Sequence, residues 1–474
     1  MKNDQTGTDS PFESKPLPKH LDAQTDSQEG PVAKLAASSR AEYSAAEFRA
    51  LSGFLMEQGV FAFQSLPNGL FSAAGSAGAD DVSGYQYVWV RDNVHVAHAH
   101  YVCGDTASAG RTLSALMRYF QKHQPRFRDI IGDRETDPET ALAADPMNRP
   151  HIRFDGRKFA EVDQKWAHAQ NDALGYFLWC YCKLVRDGVI RPDSDQVKCL
   201  ALFPLYFEAI QYWRDRDSGH WEETRKVSAS SIGAVVAGLR EFEALTEEHQ
   251  GWAELIAPGF KVDSGGLRWL REKGEAALKR ILPCESIEPE ACYRRYDAAL
   301  LFLIYPLGVV GWEEARIILE DVATHLQGMH GIRRYLGDSY WFPDYKKVPE
   351  RERTADFSGG IEARNAGLPP GQEAQWCIFD PILSVIYGQM HLRRKAEGKL
   401  EEAREFLRLQ TTYFNRSLTQ LTPGLKGDAR LKAPEAYYLE NGRYVPNDHT
   451  PLLWSQANLW LAVNQMAQSV SATG

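Results

Sequence analysis

Two glutamates in contrasting surroundings are the residues of this 474-residue chain best suited to chemistry. Glu222 lies in Asp217-Ser-Gly-His-Trp221-Glu222-Glu223, a glycine-containing turn between two helical segments, with a Trp directly before it. An acid that protonates a leaving group must keep its proton near neutral pH, and an adjoining indole supplies the apolar cover for that. The flat face of Trp221 also suits the apolar face of a sugar ring. Glu435 lies in Ala433-Pro-Glu435-Ala-Tyr-Tyr438, where Pro434 stiffens the presenting loop and hydroxyls such as those of Tyr437 or Ser455 are available as donors. Alone, Trp-Glu-Glu reads equally as surface charge and Glu435 as a solvated loop residue. As a pair they could act as acid and base on one bond.

Three further stretches mix aromatic and charged residues in a way that a plain helical core does not need. In Tyr87-Val-Trp89-Val-Arg91-Asp92-Asn93, Arg91 and Asp92 at a helix start offer donors and acceptors to neighbouring hydroxyls, or else form a capping ion pair. Trp166-Ala-His-Ala-Gln170-Asn-Asp172 repeats the theme, and reads alternatively as a capping cluster. Arg334 and Tyr335, with Asp338, Tyr340 and Trp341 close behind, form either a binding loop or a cationic loop with local packing. After Glu435, Thr450 would cap a last helix with Pro451 at its first position, and Trp454 follows inside it. His95, His98 and His100 do not make a metal site: only the first two share a helix face, and no Cys or carboxylate completes a set. Phosphate-binding loops, serine elbows and dinucleotide glycine fingerprints are absent from their required contexts, so no cofactor is expected.

The elements that must position these residues are helices. Helical periodicity predicts twelve, over 39–58, 93–102, 107–123, 168–185, 197–214, 228–245, 266–281, 295–307, 312–326, 372–394, 399–420 and 450–469. Several are apolar over a wide arc, as in Leu300-Leu-Phe-Leu-Ile304, so they are covered on more than one side. Twelve helices pairing as successive hairpins can close into a ring with an inner and an outer layer. The long irregular connections would then gather at one end and carry the chemistry. Residues 1–38 are polar and poor in large apolar side chains, which predicts a disordered tail ahead of a single all-α domain over 39–474.

Composition narrows the partners. A net charge of −9 without a dense basic patch argues against nucleic acid. No apolar run reaches membrane-spanning length, and the N-terminus lacks the apolar core of a signal peptide. Seven cysteines, four of them in apolar helical contexts, look like reduced core thiols and predict a cytoplasmic protein. Oligomeric state is not legible.

Taken together, these stretches resemble glycoside hydrolase family 15, the glucoamylase-like enzymes, and the glucoamylase-like domains of phosphorylase kinase alpha and beta subunits. Trp89-Val-Arg91-Asp92 is similar to the family's Trp-x-Arg-Asp element, and Trp221-Glu222-Glu223 to its acid motif. Trp166-Ala-His-Ala-Gln170-Asn-Asp172-Ala and Ser230-Ser-Ile-Gly233 resemble the kinase-subunit spelling. Asp297-Ala-Ala-Leu-Leu, Arg334-Tyr335 with Asp338 and Tyr340, Pro434-Glu435, and Thr450-Pro-Leu-Leu-Trp454-Ser455 resemble later family segments, in family order. Gly219 and His220 depart from the residues usual before the Trp.

The resemblance implies an (α/α)6 barrel and inverting attack on an α-glucosidic bond of an α-glucoside or oligosaccharide. Glu222 would be the acid and Glu435 the base. Trp89, Arg91, Asp92, Trp166, Gln170, Asp172, Trp221, Glu223, Arg334, Tyr335 and Trp454 would hold substrate. The kinase-subunit likeness leaves open a carbohydrate-sensing protein without turnover. Another open alternative is an (α/α)6 enzyme on a different sugar, such as trehalose.

Overall fold

Wide apolar arcs are what an inner ring of helices requires, because each touches neighbours on both flanks and the barrel filling in front. The computed structural model describes residues 30–75, 84–132, 146–163, 166–249, 251–252, 264–289, 292–348, 365, 368–424 and 428–473. Its helices are α1 (Pro31–Ser38), α2 (Ala45–Glu57), α3 (Val90–Val102), α4 (Thr106–Lys122), α5 (Pro125–Gly132), α6 (Asn171–Arg186) and α7 (Ser194–Ala209). Then follow α8 (Ala229–Glu248), α9 (Ser264–Ile281), α10 (Leu301–Ile304), α11 (Trp312–Asp321), α12 (Phe379–Ala396), α13 (Leu400–Thr419) and α14 (Leu453–Thr473).

The inner ring runs α3, α6, α8, α10, α12, α14, and α14 packs back on α3 to close it. Outside lie α2, α4, α7, α9, α11 and α13, each packed on an inner neighbour. This is the expected (α/α)6 barrel, and each of the twelve predicted helices has its counterpart. In α6 every residue from Asn171 to Cys182 is buried, as an inner position demands. Its approach to α8 is close enough to need glycine: a Cβ on Gly175 would sit 2.5 Å from the Ala234 carbonyl carbon. Outer α13 turns Glu401, Glu402, Arg404 and Glu405 to solvent.

Several boundaries differ from expectation. The cap of α2 is Ser44 rather than Ser39, in a capping box with Glu47. Helix α1 lies within the stretch expected to be disordered, anchored by buried Leu35, and residues 1–29 lie outside the described residues. The predicted helix 295–307 contracts to a 3-10 turn, Ala298–Leu300, and the single turn of α10. Asp297 caps it late, and Pro306 holds Tyr305 in extended backbone. Helix α12 starts at Phe379 rather than 372, because Gln375 and Trp376 are drawn into a sheet. Likewise α14 starts at Leu453, and the Thr450 hydroxyl donates to the Asn447 carbonyl instead of capping it.

Short strands tie the loops together. Strands β1 (Val88–Trp89), β2 (Arg153–Asp155) and β3 (Ala160–Glu161) form one antiparallel sheet. Strands β4 (Gln375–Trp376), β7 (Ala436–Glu440) and β8 (Arg443–Pro446) form another, and β5 (Thr422–Pro423) pairs with β6 (Leu431–Lys432). Isolated bridges join Ile332 to Trp376, Asp297 to Tyr335 and Ala74 to Leu452. The loops ahead of α3, α10, α12 and α14 are thereby fastened to one another where those inner helices begin. Among the described residues, no helix is long and apolar enough to cross a membrane.

Candidate active site

The barrel end where these loops meet holds a cavity lined by Ala73, Tyr85, Trp89, Arg91, Asp92 and His220. Trp221, Glu222, Arg334, Trp376, Glu435, Leu452 and Trp454 complete it. Its volume is about 30 Å3, against the roughly 10–15 Å3 that a cavity needs to hold one water. Both candidate glutamates open into it.

Glu222 is presented by a tight device. A bridge between Asp217 and Lys226 closes the loop, the 3-10 turn Gly219–Trp221 fills it, and Glu222 ends that turn at φ 53°. A left-handed non-glycine residue costs conformational energy, and such positions cluster where a side chain must be aimed. The loop is moored to the start of α6, where the Asn171 amide donates to Asp217 at 2.9 Å. Burial pushes the Glu222 carboxyl up to about 8, although Arg91 and Arg334 pull it down. Desolvation wins over an ion pair here because the site excludes nearly all water. The shift matches what the Trp-Glu pattern implied, but its source is the whole cavity wall rather than one indole.

Arg91 has no spare hydrogen-bond donor. Its Nε donates to Asp172 at 2.6 Å, and its Nη1 to Glu222 at 2.7 Å and the His220 carbonyl at 3.0 Å. Its Nη2 donates to Gln170 at 2.6 Å and the Gly219 carbonyl at 3.2 Å. A guanidinium has five N–H bonds, and all five are used. Burial works against the Arg91 charge, yet Asp172 and Glu222 hold its pKa above the ordinary value. Asp172 is itself held below the usual carboxylate range by the Arg91 guanidinium despite full burial. Gln170 and Asp172 thus stand behind Arg91 and not in the cavity wall. His220 is neutral, since burial pushes it down to about 3.

Arg334 is arranged differently. Asp338 takes two of its hydrogen bonds, at 2.6 and 2.7 Å, and Glu223 a weaker one at 3.3 Å. Its Nη1 donates to no described residue and so remains available, framed by the Trp221, Tyr340 and Trp376 rings at 5.1, 4.8 and 4.9 Å. Glu223 also accepts from the Tyr335 hydroxyl at 2.5 Å and Arg294 at 3.1 Å. Burial would raise its pKa, but Arg294 and Arg334 lower it below the usual range. Glu223 and Tyr335 therefore brace Arg334 from outside the cavity lining. Trp221 is fixed by a bond from its Nε1 to Asp297 at 3.0 Å.

Glu435 sits just ahead of β7, held through its backbone to Cys377 and His449. Its carboxylate accepts from Asn447 at 2.5 Å, from the Tyr340 hydroxyl at 3.3 Å, and from the Tyr85 hydroxyl. Tyr85 is stacked on His449 with ring centroids 3.6 Å apart. The donors are not those proposed from the sequence. Tyr437 donates instead to the Gln420 carbonyl at 3.0 Å, and Ser455 Oγ is buried without a partner. Asp92 faces the cavity with its carboxyl pushed up to about 7 by burial, and Glu435 adds repulsion.

Trp89 and Trp454 line the cavity, whereas Trp166 stands one layer back, edge-on to Trp89 at 5.3 Å and under the Arg153 guanidinium at 3.5 Å. Tyr85, Trp376 and Asn447 were not singled out from the sequence. Trp376 carries a faint signal, an aromatic beside amides before a helix, and Asn447 lies three residues before Thr450. Tyr85 carries none. Among the described residues no group of His, Cys, Asp and Glu is arranged to hold a metal ion.

The helical double ring with paired carboxyls at one end has counterparts among known proteins. Residues 56–286 match the model of glycosyl hydrolases family 15. The chain is 26% identical over 439 residues to a probable phosphorylase b kinase regulatory subunit alpha of Caenorhabditis elegans, covering 85% of this chain and 32% of that protein. With the skeletal muscle alpha subunit of Oryctolagus cuniculus it is 28% identical over 351 residues, 68% of this chain and 25% of the relative. It thus spans about a third or less of these relatives. A solved glucoamylase from Saccharomycopsis fibuligera superposes with a TM-score of 0.59 at 12% identity, covering 92% of this chain and 98% of that one. A solved wild-type glycosidase gives 0.57 at 17% identity, covering 94% and 99%. The chain is thus a glucoamylase-like (α/α)6 protein related to glycosyl hydrolase family 15.

Proposed function

We propose that the chain is an inverting, exo-acting α-glucosidase. The observation that carries this reading is one cavity with two carboxyls prepared in opposite ways. Glu222 is pushed up to about 8 by burial, and Glu435 is served by three donors. Glu222 gives its proton to the glycosidic oxygen as the C1–O bond breaks. Glu435 takes a proton from water, whose oxygen attacks C1 from the opposite face. Arg334 Nη1 and Asp92 are free to hold sugar hydroxyls, with Trp221, Trp376 and Trp454 as walls. Exo-action needs a pocket that closes around one chain terminus. The seven cysteines are all free thiols, which supports a cytoplasmic setting.

The experiment is incubation with a panel of α-linked glucosides, trehalose included, followed by proton NMR. Fresh β-glucose is expected, and initial α-glucose would overturn inversion. A second expectation concerns pH. Glu222 acts protonated, so kcat/KM should fall as pH rises through about 8, the value of the free protein. That limb should disappear with α-glucosyl fluoride, whose leaving group needs no proton.

A second reading is a carbohydrate-sensing regulatory protein. It is supported by the kinase regulatory-subunit relatives and by the Arg91 bond that occupies Glu222 Oε1. Oligosaccharide binding without release of glucose from any panel member would favour it.

A further inference from the structure

We propose that a groove on the outer layer of the barrel, separate from the cavity at its end, binds a phosphorylated sugar. The groove has a volume of about 630 Å3, within the range of small-molecule sites. One wall is the outward face of α4, where Thr106, Ala107, Gly110, Arg111, Ser114 and Arg118 recur at helical spacing. The opposite wall is the loop 65–69, and Val189 closes one side.

The charge of this groove is opposite to that of the molecule. The chain carries a net charge of −9, yet the described lining holds two arginines and no acid. Most other surface arginines are ion-paired, as Arg186 is to Glu241 and Glu248 and Arg408 to Glu405. Arg111 and Arg118 are not paired among the described residues. Arg111 donates once, from Nη2 to Ser108 Oγ at 2.8 Å, and Arg118 lies 5.8 Å over the Phe159 ring, which orients it and leaves its N–H edges open. Asp105, the acid that caps α4, is engaged by His100 at 3.1 Å.

Open guanidinium edges match phosphate in shape and charge. Seven residues apart, the two arginines stand about 10 Å apart along the helix axis, too far to clamp one phosphate together from fixed positions. Each therefore takes its own phosphate. Between them the wall is small, with Ala107, Gly110 and Ser114, which leaves room for a ring. Hydroxyls of Ser65, Thr106 and Ser114 and the apolar Leu66, Pro67 and Val189 suit the edges and face of a sugar. The ligand class is a hexose carrying two phosphates, with the monophosphate as a weaker alternative.

The test is titration calorimetry on the full chain with glucose 1,6-bisphosphate, glucose 6-phosphate, inorganic phosphate and glucose, repeated on Arg111→Gln/Arg118→Gln. Both side chains are solvent-facing, so the variant should keep the wild-type circular dichroism and melting temperature without ligand. Expected is tightest binding for the bisphosphate, about tenfold weaker binding for the monophosphate, weaker still for phosphate, and none for glucose. The double variant should lose the bisphosphate affinity by at least about tenfold. Absence of bisphosphate binding, or equal binding by the variant, would overturn the site. Equal affinity for bisphosphate and monophosphate would overturn the two-arginine geometry, and equal affinity for phosphate alone would overturn the sugar. None of these results bears on the chemistry assigned to Glu222 and Glu435.

Discussion

Replacing Glu222 by Gln is expected to lower the proposed maltose hydrolysis by about 10²–10⁴-fold, and replacing Glu435 by Gln to do the same, because each change keeps size but removes a proton transfer. The two variants should part company on α-glucosyl fluoride. Fluoride leaves without a proton, so Glu222→Gln is largely spared while Glu435→Gln stays crippled for want of a base. The measurement is the initial rate of fluoride release beside that of glucose release from maltose. Wild-type rates on maltose in both variants would remove these residues from the chemistry. Equal losses on the fluoride would show that their roles are not divided as proposed. The basic limb near pH 8 is also absent in Glu222→Gln, since a glutamine has no proton to lose.

The second large effect is on stability. Substituting Arg91 by Met strands the Asp172 carboxylate, which loses its cation inside the barrel, and removes the donor that Glu222 accepts from. Removing one partner of a buried ion pair costs about 3–5 kcal/mol, so urea unfolding should show a midpoint lowered in proportion. Arg91→Lys should recover part of this, because a lysine restores the charge but offers three donors from one nitrogen instead of five from a fork. Unfolding free energies of both variants within about 0.5 kcal/mol of wild type, the range of an ordinary surface change, would mean that the Asp172 carboxylate finds a proton or water instead. The proposed activity should fall with either substitution, since Arg91 also fixes the Gly219–His220 turn that aims Glu222.

The helices were legible because their signal is local. Apolar spacing in 228–245 announces α8, and the charge-rich stretch 393–408, with both signs interspersed, announces an exposed turn and an outer helix face. Their ends were less so, because the ends are decided by partners far along the chain. Residues 372–378 read as helix until Trp376 pairs with Ala436, a contact that no window of the sequence contains. The site divides in the same way. Glu222, Glu435, Arg91 and Arg334 stood out because acids and arginines beside aromatics are unusual in a helical core. Tyr85 did not, because a lone tyrosine in a loop means nothing until it meets Glu435, 350 residues away. Nor could spacing show that Gln170 and Asp172 serve the arginine rather than a ligand. Residue type tells what a side chain can bond to, and packing decides what it does bond to.

The cavity between Glu222 and Glu435 measures about 30 Å3, room for roughly two waters at about 10–15 Å3 each and less than a hexose ring needs. A hexose entering this site would have to displace its walls, and the cost of that opening would fall on binding. Apparent affinity is then the intrinsic affinity diluted by the open fraction: one open molecule in a hundred costs about 2.7 kcal/mol of binding. Capture should also be paced by opening rather than diffusion, so its observed rate would level off as sugar concentration rises. A protein built this way discriminates before it reacts, because a ligand too weak to hold the open form never meets the two carboxyls together.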